Sequence, residues 1–251
     1  MNSDGLELRG ISRSYGSRKA VDSLSLSVGS GEIFGLLGPN GAGKTTTLKI
    51  IAGLIIPHSG EALLNGMPVE KVRERIVYVP DEPTVFSNLS GREYLLYSGR
   101  MRGLERDVLN ARIESCIQVF EMEGWIDNRS SSYSHGMIQR VVLSGAFIAR
   151  PDLYVIDEPL VGLDPPASAT FWKLVEGAAK QGASVLVSTH TLAVASAHCS
   201  RFGIIHRGEL KITLTAGELS GSDLQELFFS VTGTAPASVE RVFSDLPCYG
   251  Q

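Results

Sequence analysis

Gly38-Pro39-Asn40-Gly41-Ala42-Gly43-Lys44-Thr45 satisfies the spacing G-x-x-x-x-G-K-[ST] at every fixed position. Upstream, Ile33-Phe34-Gly35-Leu36-Leu37 reads as a short buried strand. Downstream, Thr46-Thr47-Leu48-Lys49-Ile50-Ile51-Ala52 is apolar and free of breakers, and so can form a helix. Strand, glycine turn and helix in that order make a phosphate cradle. Glycines let the backbone approach an anion without a Cβ in the way, successive N–H groups point inward, and the phosphates lie at the positive end of the helix. Lys44 is the only side-chain cation of the loop and supplies a mobile charge for the terminal phosphates, while the Thr45 hydroxyl suits the Mg2+ that accompanies a nucleoside triphosphate.

The chain has 251 residues, 43% of them hydrophobic, enough to bury a large core, and the expected arrangement is one domain with an inserted subdomain. A net charge of −4 without a Lys/Arg run argues against a broad nucleic-acid footprint, and no nucleic acid is expected as a partner. Cys116, Cys199 and Cys248 are odd in number, far apart and not in metal-ligand spacing, which reads as reduced thiols in a cytoplasmic protein. No apolar stretch approaches the roughly 20 residues of a membrane span, so work at a membrane would need another chain to cross it.

Leu6 and Leu8, then Leu24, Leu26 and Val28, alternate with polar residues as in strands buried on one face, an antiparallel opening with a turn at Ser14-Tyr15-Gly16. Turn signals at Pro57 to Glu61 and at Asn65-Gly66 flank a short strand, Ala62-Leu63-Leu64, and His58 reads as a surface residue without a partner. Ile76 to Val79 is a strand ending at Pro80. From about residue 88 to 149 the period becomes helical: Ser90-Gly91-Arg92-Glu93 has capping-box spacing, and Leu109, Ile113, Cys116, Ile117 and Phe120 form one apolar stripe. A Ser-rich turn follows, then a helix from Gly136 through Ile148. Leu153 to Ile156 and Val185 to Val187 are buried strands, with helices expected over Phe171 to Lys180 and Thr191 to Cys199 and a closing hairpin over Ile204 to Leu214. Past Gly221 only Leu224 to Phe229 looks helical.

The Leu153 strand ends in Asp157-Glu158 and the Val185 strand in Ser188-Thr189-His190. In open α/β sheets ligands bind outside the carboxyl ends of parallel strands, so these ends and the phosphate loop are expected to converge on one crevice. Asp157 can hold Mg2+, Glu158 can orient and deprotonate an attacking water, and His190 can hydrogen-bond the terminal phosphate.

With these residues in place, the chain closely resembles the ATP-binding subunit of ABC transporters over roughly residues 6–215. Tyr15 matches the aromatic residue that stacks on adenine. Tyr133-Ser134-His135-Gly136-Met137 matches the signature usually written LSGGQ, Leu153 to Glu158 the Walker B strand, Gly162-Leu163-Asp164 the D-loop, and His190 the switch histidine. Two positions depart from the pattern. Asp81 stands where a Gln usually meets the Mg2+ shell, keeping an oxygen acceptor but losing the amide donor and adding charge, and either senses the metal or caps the loop after Pro80. His135 and Met137 replace Gly and Gln in the signature, while the hydroxyl of Ser134 and the close backbone N–H at Gly136 remain.

The resemblance implies a P-loop NTPase of α/β class: a mostly parallel sheet core, an N-terminal antiparallel β subdomain and an inserted helical subdomain. It implies an ATP-binding domain over residues 1–220, with 221–251 a short C-terminal extension. Glu158 and His190 would be catalytic, and Thr45, Asp157 and Asp81 would meet Mg2+. Tyr15, Gly38, Pro39, Asn40, Gly41, Ala42, Gly43, Lys44, Thr45, Thr46, Asp81, Ser134, Gly136 and Asp164 would contact ATP. It further implies an ATPase peripheral on the cytoplasmic face of the membrane, working head-to-tail with a second ATP-binding subunit and powering a separate transmembrane permease. The departures and the short tail look like the branch that pairs with ABC-2 type membrane subunits, usually exporters. A soluble ABC-type ATPase acting on ribosomes or DNA is the alternative, disfavoured by the single motif set and the lack of sustained heptads. A module that binds ATP without hydrolysing it is disfavoured by Glu158 and His190.

Overall fold

The computed structural model describes residues 4–218 and 221–233. Strands β1 (Gly5–Tyr15) and β2 (Arg18–Gly29) form the antiparallel opening, and their alternating apolar residues, Leu6, Leu8, Val21, Leu24, Leu26 and Val28 among them, are buried. The strands run longer than the pattern implied, so Tyr15 ends β1 opposite Arg18 instead of lying inside the turn. All of β3 (Ile33–Leu37) is buried, and α1 (Lys44–Ile51) starts at Lys44, two residues before the expected Thr46. Strand β4 (Ser59–Leu64) takes in Ser59, Gly60 and Glu61, which read as turn residues. Pairing with β1 decides this, with Arg9 opposite Glu61 and an ion pair of 3.0 Å between them. His58 does have a partner: its Nδ1 accepts from the Ser14 N–H at 3.4 Å.

After the two-residue β5 (Met67–Pro68) comes β6 (Ile76–Val79), and then three helices, α2 (Gly91–Met101), α3 (Arg106–Val119) and α4 (His135–Ala149). The expected capping box forms at α2: Glu93 N–H donates to Ser90 Oγ at 3.1 Å, and Ser90 N–H donates to Glu93 Oε2 at 2.9 Å. Such a cap is worth about 1 kcal/mol. The stripe from Leu109 to Phe120 is buried, and these helices share one continuous apolar cluster with Val79, Tyr154 and Ile156 of the sheet. The inserted helices are therefore packed on the core.

Strand β7 (Leu153–Asp157), helix α5 (Pro165–Lys180), strand β8 (Ser184–Thr189), helix α6 (Leu192–His198), the antiparallel pair β9 (Arg201–His206) and β10 (Glu209–Thr215), and helix α7 (Gly221–Thr232) complete the order. Helix α5 starts six residues before Phe171, because Asp164 caps it by accepting from Ala167 N–H at 3.0 Å and prolines are tolerated in a first turn. The strands form a four-stranded sheet, β2-β1-β4-β5, and a six-stranded sheet, β10-β9-β3-β8-β7-β6, in which every pairing except β10 with β9 is parallel. The carboxyl ends of β3, β8, β7 and β6 thus lie side by side. Cys116 and Cys199 are free and buried, and burial pushes their thiols up to about 11 and about 12. Cys248 and the other residues past 233 lie outside the described residues. Among the described residues no helix is long and apolar enough to cross a membrane.

Candidate nucleotide site

A cleft of about 310 Å³ opens where those strands end, lined by the loop residues Pro39, Asn40, Gly41 and Gly43 to Thr46, together with Tyr15, Arg18, Asp81, Asp157 and Glu158. Two loop glycines are required by contact: a Cβ at Gly38 would lie 2.5 Å from Ile205 O, and one at Gly43, where φ is +111°, would lie 2.3 Å from Ala20 O. Gly38 and Ala42 are buried beneath the loop and hold its shape. The Lys44 ammonium donates to Gly38 O at 2.7 Å and lies 3.7 Å from Glu158 Oε1.

The Thr45 hydroxyl donates to Asp157 Oδ2 at 2.7 Å, and Ser188 Oγ donates to Asp157 Oδ1. Burial raises the Asp157 carboxyl above its ordinary value. The Ser188 and Thr45 hydrogen bonds oppose that shift, while Asp81 and Glu158 add to it. Glu158 has φ +45°, an unfavourable value for a side-chain-bearing residue, held by its N–H donating to Ser188 O and Oγ, each at 3.2 Å. This turn sets its carboxylate between Lys44 and His190, whose Nδ1 lies 3.0 Å from Glu158 Oε2.

Hydroxyl and carboxylate oxygens from Thr45, Asp157 and Asp81 are the hard donors that Mg2+ prefers, and they fit that ion. Among the described residues no group of three His, Cys, Asp or Glu can hold a metal alone. An ion here would share its shell with phosphate and water, the usual habit of Mg2+. Asp81 lines the cleft while its Oδ1 accepts from Glu82 N–H at 3.0 Å, so both readings of this residue keep a physical basis. Tyr15 is 49% exposed at the rim, with the Arg13 guanidinium 5.4 Å from its ring centre.

Ser134, Gly136 and Asp164 do not line this cleft. They form a second group, in which the start of α4 is fastened to the loop after Glu158. Gln139 donates to Pro159 O at 2.8 Å, Arg140 pairs with Asp164 at 2.7 Å, and a Cβ at Gly136 would lie 2.4 Å from Gly162 O. His135 packs on Gly162, and Met137 takes over a capping role: its Sδ accepts from Ser134 N–H at 3.4 Å while its own N–H donates to Ser134 Oγ at 3.3 Å. The substituted signature thus still makes a capped helix start.

A sequence profile of the family described as ABC transporter matches residues 21–161. This chain belongs to the ABC transporter ATP-binding family. It is 36% identical over 218 residues to the ABC-type transporter ATP-binding protein EcsA of Bacillus subtilis (strain 168), covering 85% of this chain and 88% of that one. It is also 36% identical over 233 residues to the Nod factor export ATP-binding protein I of Paraburkholderia xenovorans (strain LB400), covering 89% and 76%. A solved structure described as the ATP binding subunit of an ABC transporter superposes with a TM-score of 0.81 at 31% identity, covering 96% of this chain and 98% of that one. The P-loop fold and the ATP-binding role in an ABC transporter expected from the sequence are thereby borne out. Sequence reasoning missed Arg18, whose guanidinium donates to Gly41 O at 2.9 Å, and Ser188 as the holder of Asp157. Arg18 sits in an ordinary strand pattern with no signal to mark it, whereas Ser188 stood in the polar strand end beside His190.

Proposed function

We propose that this ABC ATP-binding subunit binds Mg-ATP in the cleft, hydrolyses it with Glu158 as general base, and passes the resulting motion to a separate membrane permease, in the direction of export. The observation that carries the hydrolytic reading is the Glu158 carboxylate held between Lys44 and His190 at the mouth of the phosphate loop. The loop N–H groups and Lys44 neutralise the triphosphate, Tyr15 stacks on the base, Glu158 takes a proton from the attacking water, and His190 steadies both Glu158 and the terminal phosphate. Mg2+, held by Thr45 and Asp157 with Asp81 nearby, would neutralise charge on the phosphate oxygens.

Ser134, Gly136 and Asp164 lie outside the cleft of their own chain, which supports the head-to-tail reading in which they meet the nucleotide of a second subunit. A groove of about 640 Å³ beside the Asp81 loop, with Thr84, Val85, Phe86, Tyr94 and Tyr97 in its wall, suits the apolar face of an amphipathic cytoplasmic helix of the permease. Phe86 is 53% exposed there and packs edge-on to Tyr97 at 5.7 Å. Export rests on the relative named for Nod factor export, and the cargo would be chosen by the permease. Glu158→Gln tests the reading: ATP binding should persist, turnover should fall by about 100- to 10,000-fold, and gel filtration with Mg-ATP should show a dimer. Turnover at the parent rate would reject Glu158 as the base.

A further inference from the structure

A cavity of about 850 Å³ lies at the opposite end of the sheet from the nucleotide cleft and has no part in the chemistry above. Asp152 and Ser184, on its floor, flank the amino starts of β7 and β8, whereas Asp157 and Thr189 end those strands, roughly 15 Å away at a strand's rise per residue. Its walls come from α3, from the last turn of α4 and from the second half of α5, so it straddles the seam between the inserted helices and the sheet.

Its lining is apolar below and cationic at the rim. Phe147, Tyr154 and Leu174 supply apolar surface, and Arg112, Arg150 and Lys173 supply charge. Arg112 spends one N–H on Ile148 O at 2.7 Å, and Arg150 and Lys173 have no ion pair or hydrogen bond among the described residues. Of the two acids in the lining, Asp152 is taken by Arg75, leaving Asp4 against three cations. Tyr154 adds a polar group to this lining. Tyr154 is only 3% exposed and lines the cavity, yet its hydroxyl has no hydrogen-bond partner among the described residues. The hydroxyl oxygen is reached from the cavity and is open to a ligand's polar group.

We propose that this cavity binds a small amphipathic anion, an apolar body carrying a carboxylate or a phosphate, and that its occupation slows ATP turnover. The anionic group meets Arg150, Lys173 and the free donors of Arg112, while the apolar body lies over Phe147 and Leu174 and the Tyr154 hydroxyl hydrogen-bonds the ligand's oxygen. The coupling follows from rigid elements: α4 and α5 begin at Ser134 and Asp164 and end at the cavity. A ligand that bridges them to α3 and the sheet fixes the helices that the proposed closure around ATP must move. By linkage, a ligand that binds the open arrangement more tightly is weakened by ATP to the same degree.

The binding site stands apart from the nucleotide reading, and so does its test. Calorimetry without nucleotide compares decanoate, decyl phosphate and uncharged decanol on the parent and on the Arg150→Glu/Lys173→Glu variant, both positions being exposed. The two anions should bind the parent, at least tenfold more tightly than decanol, and the charge-reversed variant should lose at least tenfold in affinity while its melting temperature and ATP affinity stay at parent values. Tyr154→Phe should weaken the anions severalfold without affecting decanol. Tighter binding of decanoate assigns a carboxylate ligand, and tighter binding of decyl phosphate a phosphate. Decanol binding as well as the anions, or a variant within twofold of the parent, overturns the site. Saturating anion that leaves the parent's ATP turnover unchanged overturns the coupling.

Discussion

A single methyl group at Gly162 should unsettle the start of α4, and two contacts set the size of the effect. Gly162 has φ +82°, where alanine costs roughly 1–2 kcal/mol relative to glycine. The added Cβ would also lie 2.3 Å from His135 Cδ2. His135 is exposed and can turn aside, at about 0.5–1.5 kcal/mol for leaving its rotamer. A combined loss near 2.5 kcal/mol corresponds to a melting temperature roughly 5–10 °C lower in a chain of this size. The two parts separate in a double-mutant cycle by urea unfolding. His135→Ala removes the clash but not the backbone cost, so it should recover about 1 kcal/mol in the Gly162→Ala background. Turnover should follow the same pattern, falling about tenfold in Gly162→Ala and recovering in part in the double variant, because displacement of a positioned group is costly to rate. Additivity of the two substitutions within about 0.3 kcal/mol would refute the packing of His135 on Gly162 as the link between signature and D-loop.

Lys44→Ala removes the only cation of the loop and should abolish tight ATP binding; a fluorescent-nucleotide titration unchanged from the parent would mean the loop has been misread. Phe86→Asp should release the protein from membranes that contain its permease while sparing ATP affinity, since the charge would sit in an apolar groove; fractionation that finds the variant still bound speaks against that groove. Asp81→Asn or Asp81→Gln should keep hydrolysis within about tenfold, roughly 1.4 kcal/mol in barrier, but shift the Mg2+ concentration for half-maximal activity. A change in thermal stability with no shift in metal requirement would assign Asp81 to capping alone, through its bond to Glu82 N–H.

Much of this site could be read in the chain because its parts are local. The phosphate loop, the Asp157-Glu158 pair and the Ser90 capping box each bind or cap through residues a few positions apart, so spacing carries their chemistry. Where helices and strands begin was less legible. Pairing across the sheet drew Ser59 to Glu61 into β4 against their turn preference, and the Asp164 cap set the start of α5 at its two prolines.

What the sequence determined by itself was the order of strand, loop and helix and the candidates for a base, a metal-binding acid and a phosphate cation. Period, turn chemistry and fixed spacing act over a few residues and leave their mark on the chain. What only the tertiary structure decided was which of those groups meet. Parallel pairing of β3, β8 and β7 brings Thr45 to Asp157 and His190 to Glu158, whereas the packing of α4 against the Gly162 loop keeps Ser134 and Asp164 out of the same cleft. Arg18, Ser188 and the cavity behind Tyr154 belong to that second class. Each depends on contacts between residues distant in the chain, and such contacts leave no period or spacing to read.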